Sequence, residues 1–368
     1  MTELDRRTFL RRGALGAAGV ALLGTPLLQA CSSDSKTTAS SGSSGSSSSG
    51  ASGSTKSFGA LDYQLSWLKN VEFAGVFLAD TRGYYTDAGF SSVNLITGGP
   101  NVNQDSSVDS GKAFFGTSDP VITSPAILAG AKLIVIGAQY QKSPFAIMSL
   151  KSNPLPTPEA MKGKKIGVQT VNTAIWTAFL AVNDLKESDL ETVSVGFDTS
   201  ELVAGKVDGW FSFITNEPNE LKVKGTETVT FLLAENKLPL VSQLYIANKD
   251  VLAKDRDKIK AALLADVRGW RDSIKDPAAG AQLAATKYGV DLKLDATEQT
   301  NESMDQNKLI LTDDTKANGV FTVTDAHADE TIDSLGKAGI KITKDKLFDF
   351  SLIKEIYEEH PDLKVAPS

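Results

Sequence analysis

The sequence predicts an α/β protein of two lobes, crossed twice by the chain and followed by a helical tail. Three observations predict it. From Phe58 onward, apolar runs of strand length alternate with segments of helical spacing. The alternation restarts near residue 142, after a first complete set of strands. Beyond Asp250 the signals are helical almost to the end. Strands alternating with helices imply parallel β-α-β units with helices on the sheet faces.

The first 57 residues stand outside this pattern. Arg6 and Arg7 precede an apolar, Gly- and Ala-rich stretch interrupted by Pro26. Paired arginines before such a stretch are a twin-arginine export address, set aside before fold reasoning. Leu28, Gln29 and Ala30 then lead to Cys31, the single cysteine of the 368 residues. That tetrad resembles a bacterial lipoprotein box, which implies cleavage after residue 30, acylation of Cys31 and anchoring outside the cytoplasm. Each buried CH₂ of an acyl chain adds about 0.8 kcal/mol, so a multiply acylated cysteine holds firmly. The segment to residue 57 is mostly Ser and Gly. It cannot bury apolar area and reads as a tether of about 30 Å mean span.

A lone lipidated cysteine leaves no disulfide, no thiolate nucleophile and no Cys-based metal site. The body must fold on its apolar core, for which roughly 310 residues suffice. The formal net charge is −7; four Arg and two acids before Cys31 carry +2, so the remainder carries −9. That surplus argues against nucleic acid and against broad contact with anionic lipid.

Within the body, residues 61–67 read as a strand and 73–88 as a helix, from the stripe of Ala74, Phe77, Leu78, Tyr84, Tyr85 and Ala88. Strand 92–97 ends in Gly98-Gly99-Pro100, followed by a short helix over 101–109. Strand 113–117, helix 120–128 and strand 133–139 complete the first set. The second comprises strands 145–150, 165–169, 192–197, 209–213 and 228–233, with helices over 173–185 and 217–224. Strand 241–248 follows. The crossings fall near 139–143 and 242–247, giving lobe 1 as 58–141, lobe 2 as 142–243, and 244–368 as the return to lobe 1 plus tail. Ligands of open α/β sheets bind outside the carboxyl ends of the strands, so candidates are sought there.

Several stretches carry a resemblance in their order and spacing. Leu65-Ser66-Trp67 leads to Phe77-Leu78-Ala79, Gly83-Tyr84-Tyr85 and Ala88-Gly89-Phe90. Asp109-Ser110-Gly111-Lys112, Lys162 to Gly167, Gly205 to Gly209 and Leu244 to Asn248 follow. From residue 61 to about 273 the chain resembles the solute-binding proteins for thiamine pyrimidine precursors, nitrate, sulfonates and riboflavin, and the pyrimidine synthases sharing their fold. The resemblance implies a type II periplasmic-binding-protein fold, a small-molecule ligand between the lobes, and delivery to an ABC permease and its ATPase. The synthases carry a cysteine-rich run where this chain has 237–241, without Cys. Many relatives carry a histidine where this chain has Glu72-Phe73; His327 and His360 lie in the tail and read as surface residues.

Trp67, with Asn70 and Glu72 beyond it, follows the first strand. A Trp there either stacks on a planar ligand or closes the sheet edge. Gly98-Gly99-Pro100-Asn101 either brings backbone to a ligand or makes a tight turn. Ser118 and Asp119 start a helix; such residues cap it, and in a cleft can also hold a ligand. Thr170, Asn172 and Thr173 occupy the matching place in lobe 2. Asn216 and Glu217 follow the strand of Trp210; Glu217 either accepts from an exocyclic amine or simply starts a helix. Tyr140 and Tyr245, on the crossings, either line the cleft or pack in the core.

Arg82, Arg256, Arg268 and Arg271 are the only arginines after Cys31, and none ends a strand. A sulfonate or nitrate usually takes an arginine fork, whereas Trp, Asn and Glu suit a planar, uncharged or weakly cationic heterocycle. No metal-ligand spacing, nucleophile elbow or P-loop appears. The expectation is a monomeric binding protein, not an enzyme, without cofactor. A binder of sulfonate, nitrate, taurine or riboflavin, a lipid-anchored sensor and a synthase-like enzyme are the rivals.

Overall fold

The computed structural model describes residues 57–364. The twin-arginine segment, Cys31 and most of the Ser/Gly segment lie outside the described residues. The body is built on two five-stranded sheets. In chain order the strands are β1 (Gly59–Gln64), β2 (Phe90–Ile96), β3 (Phe115–Ser118), β4 (Leu133–Tyr140), β5 (Phe145–Leu150), β6 (Lys165–Gln169), β7 (Glu191–Val195), β8 (Gly209–Phe213), β9 (Thr228–Leu232) and β10 (Ser242–Asn248). Lobe 1 has the order β2-β1-β3-β10-β4 and lobe 2 the order β7-β6-β8-β5-β9.

The parallel units expected are present, β1 with β2 and β3 and β6 with β7 and β8, but each sheet is mixed. β10 runs antiparallel to both β3 and β4, and β5 antiparallel to both β8 and β9. Each is the strand entered directly from the other lobe. A chain arriving by a crossing starts from the cleft side, where the parallel strands end, so it runs against them. The crossings occupy 141–144 and 233–241 and hydrogen-bond each other, Ser143 N–H donating to the Leu240 carbonyl at 2.9 Å.

The predicted helix over 73–88 is broken. Helix Ala74–Thr81 stops before Gly83, whose φ of +77° admits no regular right-handed helix, and Tyr84–Asp87 resumes after it. The helix expected from 101 starts at Gln104, because the Asn103 side chain accepts the Ser106 N–H at 3.0 Å and caps it there.

The tail completes lobe 1. Helix Arg256–Lys275 buries Ile259, Leu263, Val267 and Trp270 at helical spacing. It lies so close to helix Ala74–Thr81 that a Cβ at Gly269 would stand 2.1 Å from the Gly75 carbonyl oxygen. Asp266 on that helix accepts from Tyr63 Oη at 2.9 Å and from Tyr85 Oη. The edge strand β4 is wholly buried. Its outer hydrogen-bonding groups are taken by tail backbone, with Ala138 N–H donating to Phe321 and Asp349 N–H donating to Val135.

Candidate functional site

The space between the lobes divides into two chambers. The inner pocket holds about 530 Å³ of atom-free space, part of it open to solvent. The outer chamber holds about 1300 Å³, likewise part open to solvent. Both are bounded by Trp67, Asn216 and Glu217, so they meet there.

The lobe 1 wall starts where β1 ends. Ser66 N–H donates to Thr117 Oγ1 at 2.9 Å, and Ser66 Oγ to Gln243 Oε1 at 3.0 Å. Gln243 Nε2 donates to Glu72 Oε1 at 2.8 Å. Thr117, Ser66, Gln243 and Glu72 thus form one chain of hydrogen bonds. Gln243 holds it from a left-handed backbone, φ +51°, a costly conformation for a residue with a side chain. Asn70 caps the turn Val71–Phe73 through Glu72 N–H and faces the outer chamber. Asp119 caps helix Pro120–Leu128 with one oxygen, and its other accepts Ser242 Oγ at 2.9 Å. Ser118 Oγ donates to Asp105. Gln104 lines the pocket with its Oε1 buried and unpartnered.

Lobe 2 supplies an apolar wall of Phe145, Phe211 and Phe213, the rings of Phe145 and Phe213 lying 4.6 Å apart edge to face. Glu217 opens helix Glu217–Val223 and accepts the Phe213 N–H at 2.9 Å. It therefore starts a helix and lines the cleft at once. Asn172 and Asn216 stand beside it.

Trp67, Glu72, Ser118, Asp119, Asn172, Asn216 and Glu217 are thus brought together. The remaining candidates are placed elsewhere. Tyr140 is buried and donates to Gln306 Oε1 at 2.9 Å, in the core. Tyr245 is wedged between Phe115 and Phe321. Thr170 and Thr173 are exposed, and Thr173 Oγ1 closes a turn on the Thr170 carbonyl. Asn101 is exposed too; its loop meets lobe 2 instead, the Pro100 carbonyl accepting the Val171 N–H at 2.8 Å. That bond spans the cleft, so the lobes are closed on each other.

Sequence reasoning missed Gln104, Gln243, the phenylalanine wall and the tail helix Ala296–Ile310. Gln299 Oε1 accepts the Val71 N–H at 2.7 Å, and Gln306 Nε2 donates to the Val71 carbonyl at 2.9 Å. The tail therefore grips the turn that carries Glu72. Gln299 and Gln306, seven residues apart and so on one face of a helix, were the available signal in the sequence.

The electrostatics are unusual. Burial pushes the Glu72 carboxyl up to about 8, opposed by the Gln243 hydrogen bond and reinforced by the charge of Glu217. Burial pushes Glu217 up to about 8 and Asp119 to about 7, each opposed by the N–H groups it accepts. Glu302, behind Glu72, is raised well above its ordinary value, by burial first and then by Glu298, Glu72 and Glu217. Among the described residues lining the inner pocket there is no Lys or Arg. Glu72 and Asp119 from lobe 1 and Glu217 from lobe 2 therefore line one pocket without a counter-ion. A protonated carboxyl there can donate to a ring nitrogen and accept from the neighbouring exocyclic amine, a two-point match to an aminopyrimidine edge.

The sequence profile of the NMT1/THI5-like family matches residues 70–280. The riboflavin-binding protein RibY of Chloroflexus aurantiacus is 24% identical over 257 residues, covering 68% of this chain and 72% of the relative. The 4-amino-5-hydroxymethyl-2-methylpyrimidine phosphate synthase of Schizosaccharomyces pombe is 26% identical over 234 residues, covering 60% of this chain and 67% of that one. The periplasmic nitrate-binding protein NrtA of Synechocystis PCC 6803 superposes with a TM-score of 0.62 at 14% identity, over 84% of this chain and 91% of its own. The likeness to NrtA is one of fold, and the fold is that of the periplasmic binding proteins.

Proposed function

This chain belongs to the NMT1/THI5-like family, and from that premise we propose that it is the extracytoplasmic solute-binding protein of an ABC importer, capturing a thiamine-pyrimidine-like heterocycle and handing it to a permease and its ATPase. One observation carries the reading: Glu72 and Glu217 face an aromatic slot from opposite lobes with no cationic side chain in its lining. Such a site offers hydrogen bonds but no cationic partner for an anion, which disfavours sulfonate and nitrate as ligands. Trp67 offers the planar face. A riboflavin-type ligand is the second reading, favoured by the likeness to RibY and by the outer chamber. The synthase-like reading has less support, because the chain lacks the cysteine-rich run and both histidines lie away from the inner pocket.

Calorimetry of the purified protein against 4-amino-5-hydroxymethyl-2-methylpyrimidine, riboflavin and an alkanesulfonate tests the ligand class. One equivalent of the pyrimidine is expected to bind. Saturable binding of the sulfonate alone would overturn the reading. Trp67→Ala is expected to weaken binding about ten-fold, or ~1.4 kcal/mol; an unchanged affinity would make Trp67 a packing residue.

Anchoring through Cys31 after twin-arginine export is part of the same proposal. Among the described residues no helix is long and apolar enough to cross a membrane. Cys31→Ala is expected to move the protein from the membrane to the soluble fraction. A variant still sedimenting with membranes would remove the lipid anchor.

A further inference from the structure

We propose that the ligand is in two parts, a flat ring in the inner pocket joined to a positively charged arm that lies in the outer chamber against Glu298. This rests on the ring reading of the inner pocket and names what the ligand carries beyond it. The two chambers share Trp67, Asn216 and Glu217 in their linings, so a ring held by those residues lies at the border of the outer space. A ring alone leaves that space to water.

The outer wall carries a group without a partner. Glu298 is 4% exposed and lines the chamber. Its Oε2 accepts from Gln299 Nε2 at 2.6 Å, while its Oε1 is buried and unpartnered. The Gln299 amide cannot supply a further donor, because its second N–H goes to Glu302 at 3.1 Å. Buried carboxyl oxygens without a donor are rare, and they mark places where a ligand group completes the shell.

The sign of that group follows from the surrounding charges. The chamber is lined by Asp198, Glu217, Glu220, Asp295 and Glu298 against Lys224 and Lys293. Lys224 is taken by Glu220, and Asp295 is occupied in capping the N–H groups of Thr297 and Glu298. Asp198 and Asp295, which keeps its charge while capping, against Lys293 leave an acidic surplus facing the space before Glu217 and Glu298 are counted. A neutral polyhydroxy arm supplies donors but does not offset that surplus; a cationic arm that also carries a hydroxyl or N–H, as the hydroxyethyl-thiazolium arm of thiamine does, supplies both. Burial and nearby acids raise the Glu298 carboxyl to about 7, so a cation beside it would draw it into the charged form near neutral pH.

Three probes separate the cases by calorimetry on the full chain at pH 8. They are 4-amino-5-hydroxymethyl-2-methylpyrimidine as ring alone, thiamine as that ring with a cationic thiazolium arm, and riboflavin as a flat ring with a neutral ribityl arm. Thiamine is expected to bind about ten-fold tighter than the ring alone. Glu298→Gln is expected to remove most of that gain and leave the ring's affinity unchanged. Asp198→Asn, at the exposed rim, should lower the gain by about two-fold and serves if Glu298→Gln does not fold. Thiamine binding no tighter than the ring, an equal or larger gain for riboflavin, or equal losses for ring and thiamine in Glu298→Gln would each overturn the inference. In those cases ring binding survives and the proposed function stands. If no probe binds, both fall together.

Discussion

Glu72→Gln is expected to make the ligand-free protein more stable above pH 8 while weakening its hold on ligand. The carboxyl's ordinary value of 4.5 rises to about 8 in the folded protein. Between those values the folded state keeps a proton that the unfolded state has released. Stability therefore falls as pH rises through this window; the contribution is fully present below about 4.5 and lost above about 8. At 1.36 kcal/mol per tenfold in proton affinity, the rise corresponds to roughly 5 kcal/mol as an upper bound. Opening of the lobes admits water to the carboxylate and relieves part of it, so about 2 kcal/mol is the expected gain at pH 9. Glutamine keeps the hydrogen bond from Gln243 by presenting its carbonyl. Asp119, Glu217, Asp266 and Glu302 are raised as well, so the wild-type curve slopes downward whatever Glu72 does. The difference between variant and wild type isolates this one group. Urea denaturation at pH 5, 7 and 9 measures it, and parallel profiles would show that Glu72 does not titrate in the folded state. Calorimetry supplies the other half: affinity for the pyrimidine should fall by about ten-fold or more, because a carboxamide whose oxygen is held by Gln243 turns its NH₂ to the ligand and cannot accept from the exocyclic amine. A stabilising change that costs function is what separates a ligand carboxyl from a structural one.

The fold was legible where local chemistry is decisive. Strands 145–150, 165–169 and 209–213 and helix 120–128 fall where apolar runs and a capping Asp place them. The direction of β5 and β10 was not, because strand direction depends on which lobe the chain comes from. The site divides along a similar line. Trp67, Glu72, Ser118, Asp119, Asn172, Asn216 and Glu217 follow strand ends, and they line the cleft. Tyr245 lies midway along β10 and Tyr140 is the last residue of β4, both buried where rings pack. Asn101 sits on a loop, and Thr170 and Thr173 lie in the turn and first residue of helix Thr173–Val182, all exposed. Gln243 has no signature, since nothing in a glutamine announces a left-handed backbone. Phe145, Phe211 and Phe213 read as core because an aromatic in a strand usually is.

Gly98→Ala is expected to lower ligand affinity by about 100-fold, equivalent to ~2.7 kcal/mol. The sequence offered Gly98 either as a place where backbone approaches a ligand or as a tight turn; in the structure its backbone approaches that of Leu65 and Ser66. A Cβ there would stand 2.4 Å from the Ser66 carbonyl carbon and 2.6 Å from the Leu65 carbonyl oxygen. Those atoms are main chain and cannot rotate away. The loop also donates Gly98 N–H to the Trp67 carbonyl at 2.9 Å, so it fixes the segment it touches. Relief requires residues 65–67 to move by several tenths of an ångström or more. That displaces Trp67 and stretches the Ser66 bonds to Thr117 and Gln243, hence the support of Glu72. It also shifts Pro100, whose carbonyl closes the cleft against Val171. The stability loss should be about 1–3 kcal/mol, the usual cost of overpacking. Gly196→Ala is the control: its Cβ would meet nothing within 4 Å, and both quantities should be nearly unchanged. Calorimetry and urea denaturation on the two variants decide it. If Gly98→Ala bound the pyrimidine within a factor of about two of wild type, the Trp67 segment would not set the ligand's position. Glu72 would then be held by Gln243 and by the tail helix through Val71 without help from Ser66.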